Sequence, residues 1–90
     1  MRFCMEKFDD ALDWSLLRTF LGVAETGSLS EAGRRLSLSQ PTVGRHIREL
    51  ETTLSVSLFD RAPGGMTLTD LGAKLVDHAQ GMQGAAAAFR

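Results

Sequence analysis

Ser37-Leu38-Ser39-Gln40-Pro41-Thr42-Val43-Gly44-Arg45-His46-Ile47-Arg48-Glu49-Leu50 joins a helix-starting signal to an apolar period. Ser39 is a good helix N-cap, because its hydroxyl can accept an orphan N–H of the first turn. Pro41 sits in that first turn, where a missing N–H does no harm. A helix is therefore expected from about Gln40 to about Thr53. Its apolar positions Val43, Ile47, Leu50 and Leu54 recur at spacings of four, three and four, a single buried stripe. At 100° per residue, Pro41, Arg45, Arg48 and Thr52 fall on the opposite face, with Thr42 and Gly44 on its flanks. Gln40 projects from the open first turn. One side of this helix is buried, and its amino-terminal half presents a cationic, hydrogen-bonding edge.

Working outward, Ser37-Leu38-Ser39 is a tight three-residue connection to a short helix, Glu31 to Leu36, which Ser30 caps. Its apolar contacts are Ala32 and Leu36. Gly33 in its middle costs about 1 kcal/mol relative to Ala, which predicts close approach of another helix. An earlier helix follows Asp13 as N-cap, with Leu16, Leu17, Phe20, Val23 and Ala24 at helical spacing, and stops near Thr26-Gly27. On the other side the period changes. Val56 to Arg61 and Met66 to Thr69 are short, partly β-branched segments around Ala62-Pro63-Gly64-Gly65, which predicts a small hairpin. Thr69 then caps a last helix with Asp70 in its first turn. This order predicts a mostly α, winged helix-turn-helix domain: a three-helix core, a β-hairpin wing and a long C-terminal helix. Residues 1–12 read as a flexible extension, 13–69 as the winged domain and 70–90 as a linker or dimerisation helix.

Composition narrows the function. The chain has 90 residues, 43% hydrophobic and 23% charged, which is ordinary globular balance for one small domain. Ten basic and eleven acidic side chains leave a net charge of −1, which excludes a uniformly basic, histone-like protein but not a local basic patch. From Ser28 to Arg48, Arg34, Arg35, Arg45 and Arg48 face Glu31 alone, a net of +3. From Met1 to Asp13 the balance is −2. Cys4 is the single cysteine and forms no internal disulfide; with His46 and His78 it lacks zinc-ligand spacing, so no metal is expected. No apolar run approaches the roughly 18 residues that span a bilayer, and no secretory signal is legible, so the expected compartment is cytoplasmic and no membrane is expected as a partner.

Several stretches, taken jointly, carry a family resemblance: Phe20 to Ala24, Glu25-Thr26-Gly27-Ser28, Ser39-Gln40-Pro41, Arg45-His46-Ile47, Leu50-Glu51, Leu58-Phe59-Asp60-Arg61 and Leu68-Thr69. In this order and spacing, over about residues 13 to 80, the chain resembles the amino-terminal domain of LysR-type transcriptional regulators. The resemblance implies sequence-specific binding of double-stranded DNA by a homodimer joined through the last helix. It also implies a small-molecule effector, bound only through a C-terminal domain missing from these ninety residues; no cofactor is implied. The family's recognition helix matches Gln40 through Arg48, and Arg61 matches a wing arginine directed at the minor groove. Gly44 departs from the usual Ser, and Ala62-Pro63-Gly64-Gly65-Met66 lacks the further arginines of many relatives.

The expected DNA-contacting residues are Ser28, Arg34, Ser39, Gln40, Pro41, Thr42, Gly44, Arg45, Arg48 and Arg61. Gln suits bidentate contact with adenine, and Arg suits guanine or phosphate. Arg48, deeper in its helix, is assigned to phosphate, and Arg35 either to DNA or to an acidic neighbour. His46 flanks the buried stripe and is assigned to packing or phosphate. The expected dimer seam is Leu71, Leu75, Ala79, Met82, Ala86 and Phe89, the last five at heptad spacing along the last helix. The competing end of that helix is Gly81, with a tail beyond it. The alternative function is a winged-helix module for protein docking, which would lack the net +3 segment. An enzyme is not expected, because no nucleophile–base pair, carboxylate pair or phosphate-cradling glycine loop is legible.

Overall fold

The computed structural model describes residues 14–88. The expected extension over 1–12 with Cys4, the Asp13 cap and the seam residue Phe89 lie outside them. Four helices and one hairpin follow in order: α1 Trp14–Thr26, α2 Leu29–Leu36, α3 Gln40–Leu54, β1 Phe59–Ala62, β2 Gly65–Leu68 and α4 Asp70–Ala88.

The starts of α2, α3 and α4 are each made by a hydroxyl. Ser28, not Ser30, caps α2: its side chain accepts the Glu31 N–H at 3.1 Å, and the helix begins two residues earlier than the sequence predicts. Ser28 wins because its backbone is extended (φ −149°, ψ 131°), which aims its hydroxyl at the first turn. Ser39 caps α3 as expected, accepting from Thr42 N at 3.3 Å. Thr69 caps α4, accepting from Gly72 N at 3.0 Å while its own hydroxyl donates to Ser57 O at 2.7 Å. Both α2 and α3 end in left-handed serines, Ser37 (φ 60°) and Ser55 (φ 58°).

The core is drawn from every helix and from the wing. Leu16, Leu17, Phe20, Leu21 and Val23 of α1 meet Ala32 of α2 and Val43, Ile47 and Leu50 of α3, as the apolar spacings require. Leu58 and Phe59 enter beneath them, and the Phe20 and Phe59 rings sit 5.4 Å apart at 53°. That tilted geometry suits the ring quadrupoles. The helices α1 and α2 pack closely at Gly22, where a Cβ would lie 3.1 Å from Leu36 Cδ1. Gly33 has a different cause from the one expected. A Cβ there would lie 2.6 Å from the Leu38 carbonyl oxygen, so it clears the connecting turn, and Val43 Cγ2 of α3 stands behind at 3.5 Å.

The strands pair antiparallel, Phe59 with Leu68 through Ala62 with Gly65, around a two-residue turn at Pro63-Gly64. Val56, Ser57 and Leu58, expected as strand, belong instead to the connection. Glu51 explains this, because its Oε2 accepts the N–H groups of Leu58 at 2.8 Å and Phe59 at 3.3 Å. The wing is also tied at its far side, where Met66 N donates to Gly27 O at 3.0 Å.

In α4 the helix runs through Gly81 and Gly84, so it does not stop at Gly81. Ala79 is a correction. It is fully buried in its own chain, with Leu75 and Met82 packed partly against the same core, because α4 lies across α1. A residue at 0% exposure within one chain is not available to a partner. Leu71, at 49% exposure, keeps the outward position the seam requires. The side chain of Ala86 lies outside the described set.

Candidate nucleic-acid interface

The helix α3 carries the edge that its periodicity predicts except at Gly44, expected to flank the exposed face and contact DNA but buried, with Leu29 and the Arg48 side chain standing over it. Val43, Gly44, Ile47 and Leu50 are buried, while Gln40, Pro41, Arg45 and Arg48 are exposed. Gly27 and the hairpin then decide what joins them. The Met66 bond to Gly27 draws the wing against the α1–α2 turn, and β2 can come this close only because Gly65 has no side chain. A Cβ there would collide with the Gly27 carbonyl oxygen. As a result Arg61, thirteen positions beyond Arg48, lines one cleft with Leu29, Gln40, Pro41, Gly44 and Arg48. An adjoining cleft adds Ser28 and Ser30 beside Gln40 and Arg61. Two arginines and a carboxamide, drawn from α3 and the wing, thus border the same space.

The hydroxyls are partly committed. Ser39 Oγ donates to Thr42 Oγ1 at 2.8 Å while accepting from Thr42 N, so its proton is spoken for and Thr42 holds the outward donor. Ser28 and Ser30 hydroxyls lie 3.2 Å apart and either can donate to the other. The arginines divide as well. Arg34 pairs with Glu31 at 3.2 Å and Arg35 with Glu25 at 3.5 Å, both on exposed side chains. Such surface pairs contribute little, about 0–1 kcal/mol, and give way to a phosphate. Among the described residues Arg45, Arg48 and Arg61 make no ion pair. Three of the unpaired basic side chains therefore sit on α3 and the wing, the others among the described residues being Arg18 of α1 and Lys74 of α4. Arg34 and Arg45 lie outside the cleft that joins these elements.

His46 is held as a packing residue. Its Nδ1 is 2.8 Å from the hydroxyl of buried Thr19, and that hydroxyl donates to Ser15 O at 3.0 Å. Whichever of the two carries the shared proton, this bond pins the ring against α1. Glu51 and Leu58, which seat the wing on α3, were not legible as functional. Their contact spans seven residues between a helix end and a loop, and no local pattern announces it.

This geometry coincides with that of a known family. The family described as bacterial regulatory helix-turn-helix protein, lysR family, matches residues 14–73. The chain belongs to the LysR family. Among curated LysR-type relatives, an HTH-type transcriptional regulator in the ibpB-leuC intergenic region of Azotobacter vinelandii is 48% identical over 68 residues, 76% of this chain and 47% of that protein. The regulator TfdS of Cupriavidus pinatubonensis is 42% identical over 71 residues, 79% of this chain and 24% of that protein. The chain thus spans about half of the first relative and about a quarter of the second. Among solved structures, a complex of the CbnR DNA-binding domain with DNA superposes with a TM-score of 0.80 at 33% identity, covering 83% of this chain and 86% of that one. A complex of the BenM DNA-binding domain with benA site 1 DNA gives 0.80 at 27% identity, covering 83% and 84%. The winged helix-turn-helix architecture of this LysR-family chain is therefore that of the family's DNA-binding domain.

Proposed function

We propose that this chain binds double-stranded DNA sequence-specifically, as the DNA-binding domain of a LysR-type transcription regulator. The observation that carries the reading is the cleft shared by Gln40, Pro41, Gly44 and Arg48 of α3 with Arg61 of the wing. A helix whose exposed amino-terminal half bears Gln40 and Arg45 suits the major groove, which is wide enough to admit it. A wing bearing Arg61 suits a narrow, A·T-rich minor groove alongside, where the negative potential is enhanced. Ser28, Ser39, Thr42 and Arg34 fit contacts to phosphates that fix register.

The partner copy joins through α4, using its outward edge at Leu71, and twofold pairing places two recognition helices a helical turn or its multiples apart. A small-molecule effector acts only through a further domain, the compartment is cytoplasmic, and the domain carries no catalysis. Fluorescence anisotropy on a selected duplex tests the reading. With about six to eight phosphates neutralised per dimer, log affinity falls with log salt at a slope of about −5 to −7. A flat response over roughly 50–200 mM salt refutes the electrostatic footing of the proposal.

A further inference from the structure

We infer that Gly44 opens a slot in the recognition helix through which Arg48 reads a guanine, rather than holding a phosphate. This deepens the proposed function and rests on it. Three observations and one general rule point the same way. Gln40, Gly44 and Arg48 are spaced four apart, which at 100° per residue puts them on one slanting row. Helical side chains lean toward the amino terminus, so a long residue covers the turn before its own. The Arg48 side chain does this: its Nη1 lies 3.9 Å from the place where a Cβ of Gly44 would stand. Leu29 Cδ1 lies 3.9 Å from the same point, so the slot has an apolar wall from α2.

The consequence is a displacement of charge along the helix. Arg48 begins in the third turn of α3, whereas base edges are met by the amino-terminal half of such a helix. Lying back over a residue without a side chain, its guanidinium moves about one turn, roughly 5 Å, toward Gln40. There it lines the cleft with Gln40 and Arg61 and makes no ion pair among the described residues. A planar guanidinium presented beside a carboxamide matches adjacent guanine and adenine edges, because each makes two parallel hydrogen bonds. Gly44, buried beneath Arg48 and Leu29 at the edge of the cleft, thus leaves its place in the row to its neighbour four residues on.

The test is site selection from random duplex DNA by the 90-residue chain, followed by anisotropy on the selected site and its single-base variants. Arg48→Ala is expected to lose a guanine preference of roughly 5- to 150-fold at one position and to keep the others. Gly44→Ala is expected to keep that preference, because a methyl group at 3.9 Å from Nη1 makes only ordinary contact. Gly44→Val fills the slot and is expected to lose the same position as Arg48→Ala, with no further loss when the two are combined. Arg48 is exposed, so its variant stays decisive even where a valine at 44 disturbs the helix. If Arg48→Ala weakens every sequence equally and lowers the salt slope by about one, Arg48 holds a phosphate and this inference fails alone. If the unaltered chain selects no site, the DNA reading fails and takes the inference with it.

Discussion

Replacing Glu51 by Ala should loosen the wing without touching the surface that faces DNA. Glu51 is half-buried in the last turn of α3, and its Oε2 accepts two N–H groups, from Leu58 at 2.8 Å and Phe59 at 3.3 Å. The shorter bond has the length of a charge-assisted contact, worth about 1.5–3 kcal/mol; the longer one adds a fraction of that. Truncation also strands the N–H of Leu58, a residue only 1% exposed, and an unsatisfied buried donor costs about 1–3 kcal/mol. These are two views of one loss, so the expected destabilisation is about 2–3 kcal/mol. For a domain of this size each kcal/mol moves Tm by about 4–8 °C, giving a fall of roughly 8–24 °C. Glu51→Gln keeps the oxygen and loses the charge, and should cost about half as much. Glu49→Ala, on an exposed neighbour, should stay within about 0.5 kcal/mol. Urea unfolding followed by circular dichroism reads all three. A Glu51→Ala loss below about 0.5 kcal/mol, equal to the Glu49 control, would show that the clamp contributes nothing.

Other expectations are briefer. Gly72→Ala should destabilise by about 1–3 kcal/mol or more despite alanine's helix propensity, because its Cβ would collide with the Leu58 carbonyl oxygen and crowd Leu68; thermal unfolding reads the sign. Gly81→Ala and Gly84→Ala, with open space around both, should each stabilise α4 by up to about 1 kcal/mol in the same assay, and a loss at either would contradict the helix drawn there. Thr19→Val should cost about 1–3 kcal/mol by leaving His46 Nδ1 without its partner, whereas no change in urea midpoint would mean the ring is not held through it. Leu71→Glu, at an exposed site, should shift sedimentation of the chain toward monomer while leaving the circular dichroism spectrum intact; an unaltered dimer would remove Leu71 from the seam.

The helices of this chain were legible because their determinants are local. Val43, Ile47 and Leu50 repeat at the helical period, Ser39 and Pro41 mark one start, Thr69 another, and the turn composition of Ala62-Pro63-Gly64-Gly65 needs no distant partner, although Ala62 and Gly65 themselves pair as strand. The winged order and the exposed row on α3 follow from those alone. What tertiary structure decided are relations between residues far apart in sequence, where a period says nothing. Ala79 shows it for the core: heptad spacing marks an apolar edge equally for a partner copy and for α1, and only the packing of α4 across α1 chooses between them. Ser28 and Ser30 show it for a cap, since both carry the right hydroxyl and only Ser28 has the extended backbone that aims it. The candidate interface is the largest case. Arg61 stands beside Gln40 and Arg48 because Glu51 holds the root of the wing and Gly27 its return strand, two backbone hydrogen-bonding arrangements that depend on the closeness of the chain and not on its pattern.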